Sequence, residues 1–341
     1  MRNVTATTAR EERAQGTVDA RRKQTDWRLL IAKYGTTCTL LILVAGFTLA
    51  RPDVFFTRFN LLNILSQGSI LLIVSIGLTV CLVMGLYDLS ISAIATLGNY
   101  LVCSLLVIQK GEPHLWPTIL VVVAVCALVG IMNGVIVSYV GISAFIGTMA
   151  VGSVLTGVVL AYSDTKTIIG GIPDSFLALG QESTLGIPNP VLIVGAAFIF
   201  LWVLLEHTQI GRNLYAIGGS AEGAKLSGIA VRRYALVALG ISAVCAAVGG
   251  MIASANLGAA RPTGVGEAYL LNAFAASFIG ASTLRPGQFH LLGTLIGVLI
   301  IGVIGNGLSI MGVQTYWQYI VQGGLLLVAM FGAGIISGRK A

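Results

Sequence analysis

Residues 64–86 read ILSQGSILLIVSIGLTVCLVMGL, and this stretch contains no charged side chain. A helix needs about 17–25 apolar residues to cross the roughly 30 Å hydrocarbon core of a bilayer, so the run predicts a membrane-spanning helix. The whole chain of 341 residues has the same character, with 56% hydrophobic and 10% charged residues, whereas soluble domains carry about 25% charged residues. A globule of this length could not hide so much apolar surface from water, so the composition predicts an integral membrane protein.

Further apolar runs lie along the chain on both sides of this stretch. In lipid every backbone N–H and C=O needs a partner within its own segment, which favours helices, and the runs lack the alternating pattern of a membrane barrel. The predicted fold is an all-α, polytopic bundle of about ten transmembrane helices. The span 270–284 is short, so it either extends into the Gly-rich stretch before it or does not cross fully. The predicted spans are 34–50, 64–86, 91–108, 117–138, 144–162, 190–205, 235–255, 270–284, 291–310 and 317–337.

Basic residues are distributed unevenly between the two sides of this bundle. With a cytoplasmic N-terminus, 15 of the 20 Lys and Arg residues lie inside and five lie outside, and the positive-inside rule then places both termini in the cytoplasm. Residues 1–26 are polar and basic, which predicts a disordered cytoplasmic tail. The net charge of +7 follows from this topology, and no aromatic or base-reading pattern indicates nucleic-acid binding.

The cysteine and histidine residues, which could serve as nucleophiles, bases or metal ligands, do not cluster in the sequence. The five cysteines fall in predicted spans, and none is spaced as a ligand pair. The histidines, His114, His207 and His290, lie on different loops far apart in sequence. An integral-membrane enzyme would need a nucleophile–base pair or clustered metal ligands at one membrane face. We therefore expect no catalytic residue, no metal site and no cofactor.

The stretch GGSAEGAKLSG, residues 218–228, nearly has the spacing of a phosphate-binding loop, in which Lys follows the second Gly directly. Ala224 and Leu226 break that spacing, so we expect no nucleotide site. The same residues predict a short helix in a cytoplasmic loop, with Ser220 as its N-cap and Gly228 just beyond its end. Such a helix suits docking on a cytoplasmic partner, although an ordinary loop helix without a partner has the same pattern.

Polar residues within the predicted spans are candidates for contacts with a solute, because they are costly in lipid and usually face a cavity or each other. Amides offer donors and acceptors that suit a polyhydroxylated solute, and interhelical hydrogen bonding is the alternative role. Asp88 is predicted at the inner edge of a span as the N-cap of the next helix, with a proton relay as its alternative. The candidate amides are Asn63, Gln67, Asn99, Asn133, Asn272 and Asn306.

The loop 206–234 contains Thr208, Gly211, Arg212 and Tyr215, followed by Gly218, Gly219, Ser227 and Gly228. This pattern resembles the coupling loop of ribose-type ABC importer permeases. Similar stretches follow the family order elsewhere, namely FFTRFNLLNIL at 55–65, YDLS at 87–90 and GTLIGVLIIGVIGNGLSIMGV at 293–313. The chain departs from the family pattern at Leu86, Leu270, Asn272, Ala281 and Pro286. The loop positions that carry the resemblance are Thr208, Gly211, Arg212, Tyr215, Ala216, Gly218, Gly219, Ala224, Ser227, Gly228 and Ile229.

The resemblance implies that residues 27–341 form the permease domain of an importer in the bacterial inner membrane. It implies a second permease subunit, identical or related, and a cytoplasmic ABC ATPase subunit or tandem ATPase docked on the coupling loop. A periplasmic sugar-binding protein would deliver a monosaccharide or related polyol. The alternative is a secondary transporter driven by an ion gradient, which the scarcity of intramembrane acids disfavours. The residues expected to couple to the ATPase are Gly211, Arg212, Glu222, Ala224, Lys225, Ser227 and Gly228.

Overall fold

The computed structural model describes residues 34–109 and 114–337, and the predicted tail 1–26 lies outside them. Helices dominate this part of the chain. The first six are α1 (Tyr34–Ala50), α2 (Arg58–Val83), α3 (Ile91–Ile108), α4 (Leu115–Val135, continued by a π-helical turn at Ile136–Val140), α5 (Ala144–Ser163) and α6 (Asp174–Gln181). The others are α7 (Asn189–His207), α8 (Gln209–Gly219), α9 (Ala221–Leu226), α10 (Val231–Leu257), α11 (Val265–Ala281), α12 (Leu291–Ile310) and α13 (Thr315–Ser337).

Seven helices in the described ranges are long and apolar enough to cross a membrane: α2, α3, α4 with its extension, α5, α7, α10 and α12. The chain is therefore an all-α membrane protein with seven candidate spans by length and composition, where the sequence predicted about ten. The predicted spans 34–50 and 270–284 correspond to the shorter apolar helices α1 and α11, and 317–337 falls within α13. Helix α11 begins at Val265, so the short span does extend into the Gly-rich stretch before it.

Helix α10 lies at the centre of the bundle and packs against α2, α3 and α4. Burial separates two groups of helices, because most of α2 and α10 is inside the protein while α4, α5 and α7 expose most of their apolar surface. Lipid tails are as apolar as these side chains, so helices in a membrane associate through close packing and not through a hydrophobic driving force. The outer helices are therefore the ones that face lipid or other chains.

Small residues bring the central helices into backbone contact. A Cβ added at Gly250 would meet the backbone of Ala95 in α3, and one added at Gly130 of α4 would meet the backbone of α10 at Leu239. Gly297 of α12 lies equally close to the backbone of Ala276 in α11. The helices thus approach one another closely at these glycines, whereas Gly305 has open space beside it.

The loop 163–189 packs on the bundle. Its strand β1 (Ile168–Ile169) pairs antiparallel with β4 (Ala259–Ala260), directly after α10, and β2 (Ser183–Thr184) pairs with β3 (Ile187–Pro188). In α6, Phe176 is buried, and the Gln181 side chain donates a hydrogen bond of 3.0 Å to the Ala255 carbonyl. Helix α6 thus covers the C-terminal end of α10.

The backbone contact at Gly250 yields a test of the packing. We expect Gly250→Ala to lower the free energy of unfolding by about 1–3 kcal/mol, because the added methyl forces α3 and α10 apart. Thermal unfolding in detergent, followed by far-UV circular dichroism, measures the effect. Gly195→Ala is the matched control, since a Cβ at Gly195 in α7 meets nothing within 4 Å. Equal midpoints for the two variants would contradict this account of the core.

Candidate functional site

The loop between α7 and α10 folds into two short helices with the predicted caps. Thr208 precedes α8, and its side chain accepts from the N–H of Gly211. Ser220 caps α9 by accepting from the N–H of Gly223 at 3.0 Å, and Gly228 has a φ of +81°, a left-handed conformation that favours glycine. The helix predicted at 221–226 and both of its ends are confirmed.

The residues expected to couple to an ATPase fall into a structural group and an exposed group. Gly211 and Ala224 are buried, and a Cβ at Gly211 would meet the backbone of Leu205, so these two hold the loop together. A Cβ at Gly218 would likewise meet the Val83 carbonyl oxygen at the end of α2, so α8 sits directly on the core. The exposed members are Arg212, Glu222, Lys225, Ser227 and Gly228.

The tip of α9 carries an apolar residue that the sequence analysis did not single out. Leu226 is 85% exposed beside the charged side chains of Glu222 and Lys225, which lie in the first and last turns of α9. A single exposed apolar side chain is common on protein surfaces and does not by itself mark a contact site. Helix α9 thus presents one apolar side chain and charges of both signs on its exposed surface.

An ion pair joins the base of this loop to the turn between α11 and α12. The two guanidinium nitrogens of Arg285 donate to the two carboxylate oxygens of Glu206, at 3.0 and 2.8 Å, and the Tyr215 hydroxyl donates to Glu206 at 3.3 Å. Burial and the Glu206 carboxylate raise the pKa of Tyr215, so the phenol stays protonated as a donor. Sequence reasoning missed the pair, although the topology prediction puts both charges on the cytoplasmic side.

A buried carboxylate organises the non-helical segment 84–90 between α2 and α3. Asp88 is fully buried, and one of its oxygens accepts from the Ser90 N–H at 3.0 Å and the Ser90 hydroxyl at 2.6 Å. Its other oxygen accepts from the Ser242 hydroxyl at 2.8 Å. The Asn133 amide of α4 donates to the Ser90 hydroxyl at 2.8 Å, so the network links α4, α10 and the segment.

The prediction that Asp88 is the N-cap of α3 is wrong by two residues. Ser90 occupies the N-cap position, and the Asp88 carboxylate accepts from the Ser90 N–H two residues further along the chain. The predicted place at the inner edge of a span is also wrong, because Ser242 lies near the middle of α10 (Val231–Leu257). Asp88 still has a structural role, because its carboxylate connects the non-helical segment 84–90 to α10 through Ser242.

The six candidate amides do not converge on one site. Asn99 donates to the Arg261 carbonyl at 2.6 Å, and Asn306 exchanges two hydrogen bonds with Asn60 at 3.0 and 2.8 Å. Together with Asn133, these are the amides that bond across elements, which is the alternative role weighed above. The remaining three bond within their own helices, as Gln67 to Asn63 at 3.0 Å and Asn272 to the Ala268 carbonyl at 3.0 Å. Contact with a solute stays a prediction for all six.

The Asp88 network predicts a stability effect. We expect Asp88→Asn to lower the free energy of unfolding by about 1–3 kcal/mol, because one acceptor becomes an NH₂ group that faces donors in a buried site. Thermal unfolding in detergent measures it, with Asp53→Asn at an exposed acid as the matched control. Identical midpoints would show that Asp88 does not hold the segment.

The ion pair predicts a measurable coupling between two distant positions. In a double-mutant cycle of Glu206→Gln and Arg285→Gln, we expect a coupling energy of about 0.2–1 kcal/mol, because the pair is bidentate but partly exposed. Thermal or denaturant unfolding of the wild type, both single variants and the double variant supplies the four values. Additive effects within error would mean that the pair does not link the two segments.

Similarity to known proteins covers both the loop and the helices that support it. Residues 60–330 match the family described as branched-chain amino acid transport system / permease component. The chain is similar to the ribose import permease of Escherichia coli (strain K12), with 35% identity over 323 residues that cover 92% of this chain and 97% of the relative. No solved structure matches the chain.

Two further relatives carry other substrate names. The D-allose transport system permease of Escherichia coli (strain K12) is 35% identical over 309 residues, which cover 91% of this chain and 94% of that protein. The xylose transport system permease of Haemophilus influenzae is 44% identical over 146 residues, covering 43% and 39%. The helical membrane fold, the α8–α9 loop and these matches together lead to one conclusion: the chain belongs to the branched-chain amino acid transport system / permease component family, and it is a transport permease.

Proposed function

We propose that the chain is the membrane-spanning subunit of an ATP-driven ABC importer for a monosaccharide or related polyol. The observation that carries the proposal is the α8–α9 loop, a capped projection whose base rests on the backbone of α2 at Gly218. Such a loop suits a lever for a cytoplasmic ATPase. The relatives named for ribose, D-allose and xylose support a sugar as the solute.

The proposed topology has about ten membrane helices and both termini in the cytoplasm of the bacterial inner membrane. It follows from the distribution of basic residues, with 15 of 20 on the inner side, and it counts α1, α11 and α13 as spans in addition to the seven candidate spans named above. The outer loop 163–189 then faces the periplasm, where its ordered surface suits a sugar-binding protein. A second permease subunit, identical or related, would complete the pathway.

The proposed coupling runs from α9 into the core through rigid contacts. ATP-driven closure of an ATPase subunit or tandem ATPase would press on Glu222, Lys225 and Leu226. Helix α8 would carry that motion to the end of α2, on which it sits. The Glu206–Arg285 pair would carry it to the turn between α11 and α12. Close backbone contacts and bidentate ion pairs suit the transmission of motion, because each holds two elements in one fixed relative geometry.

The secondary transporter remains the competing hypothesis, and Asp88 is the observation behind it, since a buried carboxylate is the usual carrier of a coupling proton. A relay needs further titratable groups along its path. The side chains that hydrogen-bond Asp88 are the hydroxyls of Ser90 and Ser242, which do not titrate in the physiological range. The surroundings of Asp88 thus favour the structural role.

Uptake in proteoliposomes tests the proposal. We expect sugar uptake to require ATP, the partner ATPase and a sugar-binding protein, and the double variant Glu222→Ala/Lys225→Ala to lose at least about tenfold in rate, since two charge-assisted contacts of roughly 1 kcal/mol or more each disappear. The control is Arg51→Ala/Asp53→Ala, which removes an exposed base and an exposed acid outside the loops 163–189 and 206–234.

The controls distinguish the two transport mechanisms. Both double variants should show wild-type unfolding temperatures, so that a loss of uptake reports coupling and not misfolding. Uptake driven by a proton or sodium gradient without ATPase would reject the importer, and Asp88→Asn would then be expected to abolish the proton-driven flux. Equal uptake by the two double variants would reject α9 as the coupling element.

A further inference from the structure

A cleft made of adjoining cavities lies along the membrane-facing side of α10, between α4 and α7. At the cytoplasmic end of α10 is a cavity of about 670 Å³, and next to it is an apolar groove of about 510 Å³. A third cavity of about 250 Å³ adjoins the groove. Val237 lines the first two spaces and Val248 lines the last two, so the three spaces are neighbours along the helix.

The groove exists because its two walls rest on different helices. Helix α4 packs on α10, whereas α7 packs on α2. The floor includes Gly240 and Ile73, and small residues, Ala127 and Ala197, face the space from opposite walls. No residue lining this groove is charged. Water would find few hydrogen-bond partners in such a space. If the space stayed empty, the side chains that line it would lose dispersion contacts.

The length of the groove matches one lipid chain. Val237 and Val248 are 11 residues apart, which corresponds to about 16 Å at 1.5 Å per residue. Half of the hydrocarbon core of a bilayer measures about 15 Å. On the outer wall, Phe200 of α7 lines the groove and is 67% exposed, so the groove opens to the side where the membrane lies.

The mouth of the cleft has the opposite chemistry. Gln209, Asn213, Ser227 and Arg233 line it, and the Asn213 amide donates to the Tyr234 hydroxyl. Arg233 is exposed and has no ion-pair partner within the part of the chain that the structure describes. A guanidinium binds a phosphate through paired hydrogen bonds, and the cytoplasmic leaflet is the one rich in anionic lipid.

We infer that this cleft binds one anionic phospholipid of the inner leaflet. Its phosphate lies at Arg233 and Asn213, and one acyl chain fills the groove between α4 and α7 along α10. A lipid fits better than a protein segment, because the groove lies at bilayer depth and opens sideways. The bound headgroup contacts Gln209 of α8 and Ser227 after α9, so the lipid braces the α8–α9 loop against α10. The binding site itself does not depend on the proposed function.

The test measures lipid binding to the full-length chain in detergent by native mass spectrometry, with phosphatidylglycerol and phosphatidylethanolamine of equal chain length. We expect Arg233→Gln to weaken phosphatidylglycerol binding about tenfold, since it removes a charge-assisted contact to the phosphate. Phosphatidylethanolamine binding should weaken less, because its ammonium group already balances the charge of its phosphate. Ala197→Leu, which fills the groove, should weaken both lipids. The matched controls are Arg212→Gln, on the exposed face of α8, and Ala196→Leu, on the exposed face of α7.

Four outcomes would overturn the inference. One is equal phosphatidylglycerol binding by Arg233→Gln and Arg212→Gln, and another is equal binding by Ala197→Leu and Ala196→Leu. The third is complete displacement of the lipid by millimolar inorganic phosphate, which would make the mouth a simple anion site. Displacement of the lipid by the partner ATPase would assign the mouth to protein docking and reject a resident lipid. None of these readouts uses transport, so a failure here leaves the importer proposal standing.

Discussion

Backbone contact along α10 is the interaction on which the rest of the structure depends. Glycines on α10 and its neighbours remove the Cβ atoms that would hold the axes apart, as at Gly250 against Ala95 and Gly130 against Leu239. In lipid this geometry replaces the hydrophobic effect as the source of cohesion, because close approach maximises dispersion between the helices. The segment 84–90, the α8–α9 loop and helix α6 are all positioned by their packing around α10.

The segment 84–90 shows what such packing permits. Non-helical backbone at membrane depth is tolerated only where protein surrounds it, and here α4, α5 and α10 supply that surrounding through Asn133, Thr148 and Ser242. Asp88 costs free energy to bury, and three donors offset that cost. The short non-helical segment is therefore held by α4, α5 and α10. This packing lets the chain change direction inside the bundle.

The α8–α9 loop has different surroundings on its two sides. Gly218 on Val83 and the Glu206–Arg285 pair connect the loop to α2 and to the turn before α12. On the other side of the loop, a cavity lined by Asn213 of α8 and Arg233 of α10 lies between the two helices. The loop is therefore held to the bundle through α2 and the turn before α12.

The sequence by itself determined the class of fold, the run of apolar helices and the short helix α9 with its caps. These features depend on local patterns, namely apolar length against bilayer thickness and a Ser, Glu, Lys and Gly at helical spacing around 220–228. Tertiary structure alone decided the partners of the polar groups. Glu206 meets Arg285 across 79 residues, Asp88 meets Ser242 across 154 and Asn60 meets Asn306 across 246. A local sequence pattern does not predict which distant helix will contact a given side chain, because that contact depends on how the whole bundle packs around α10.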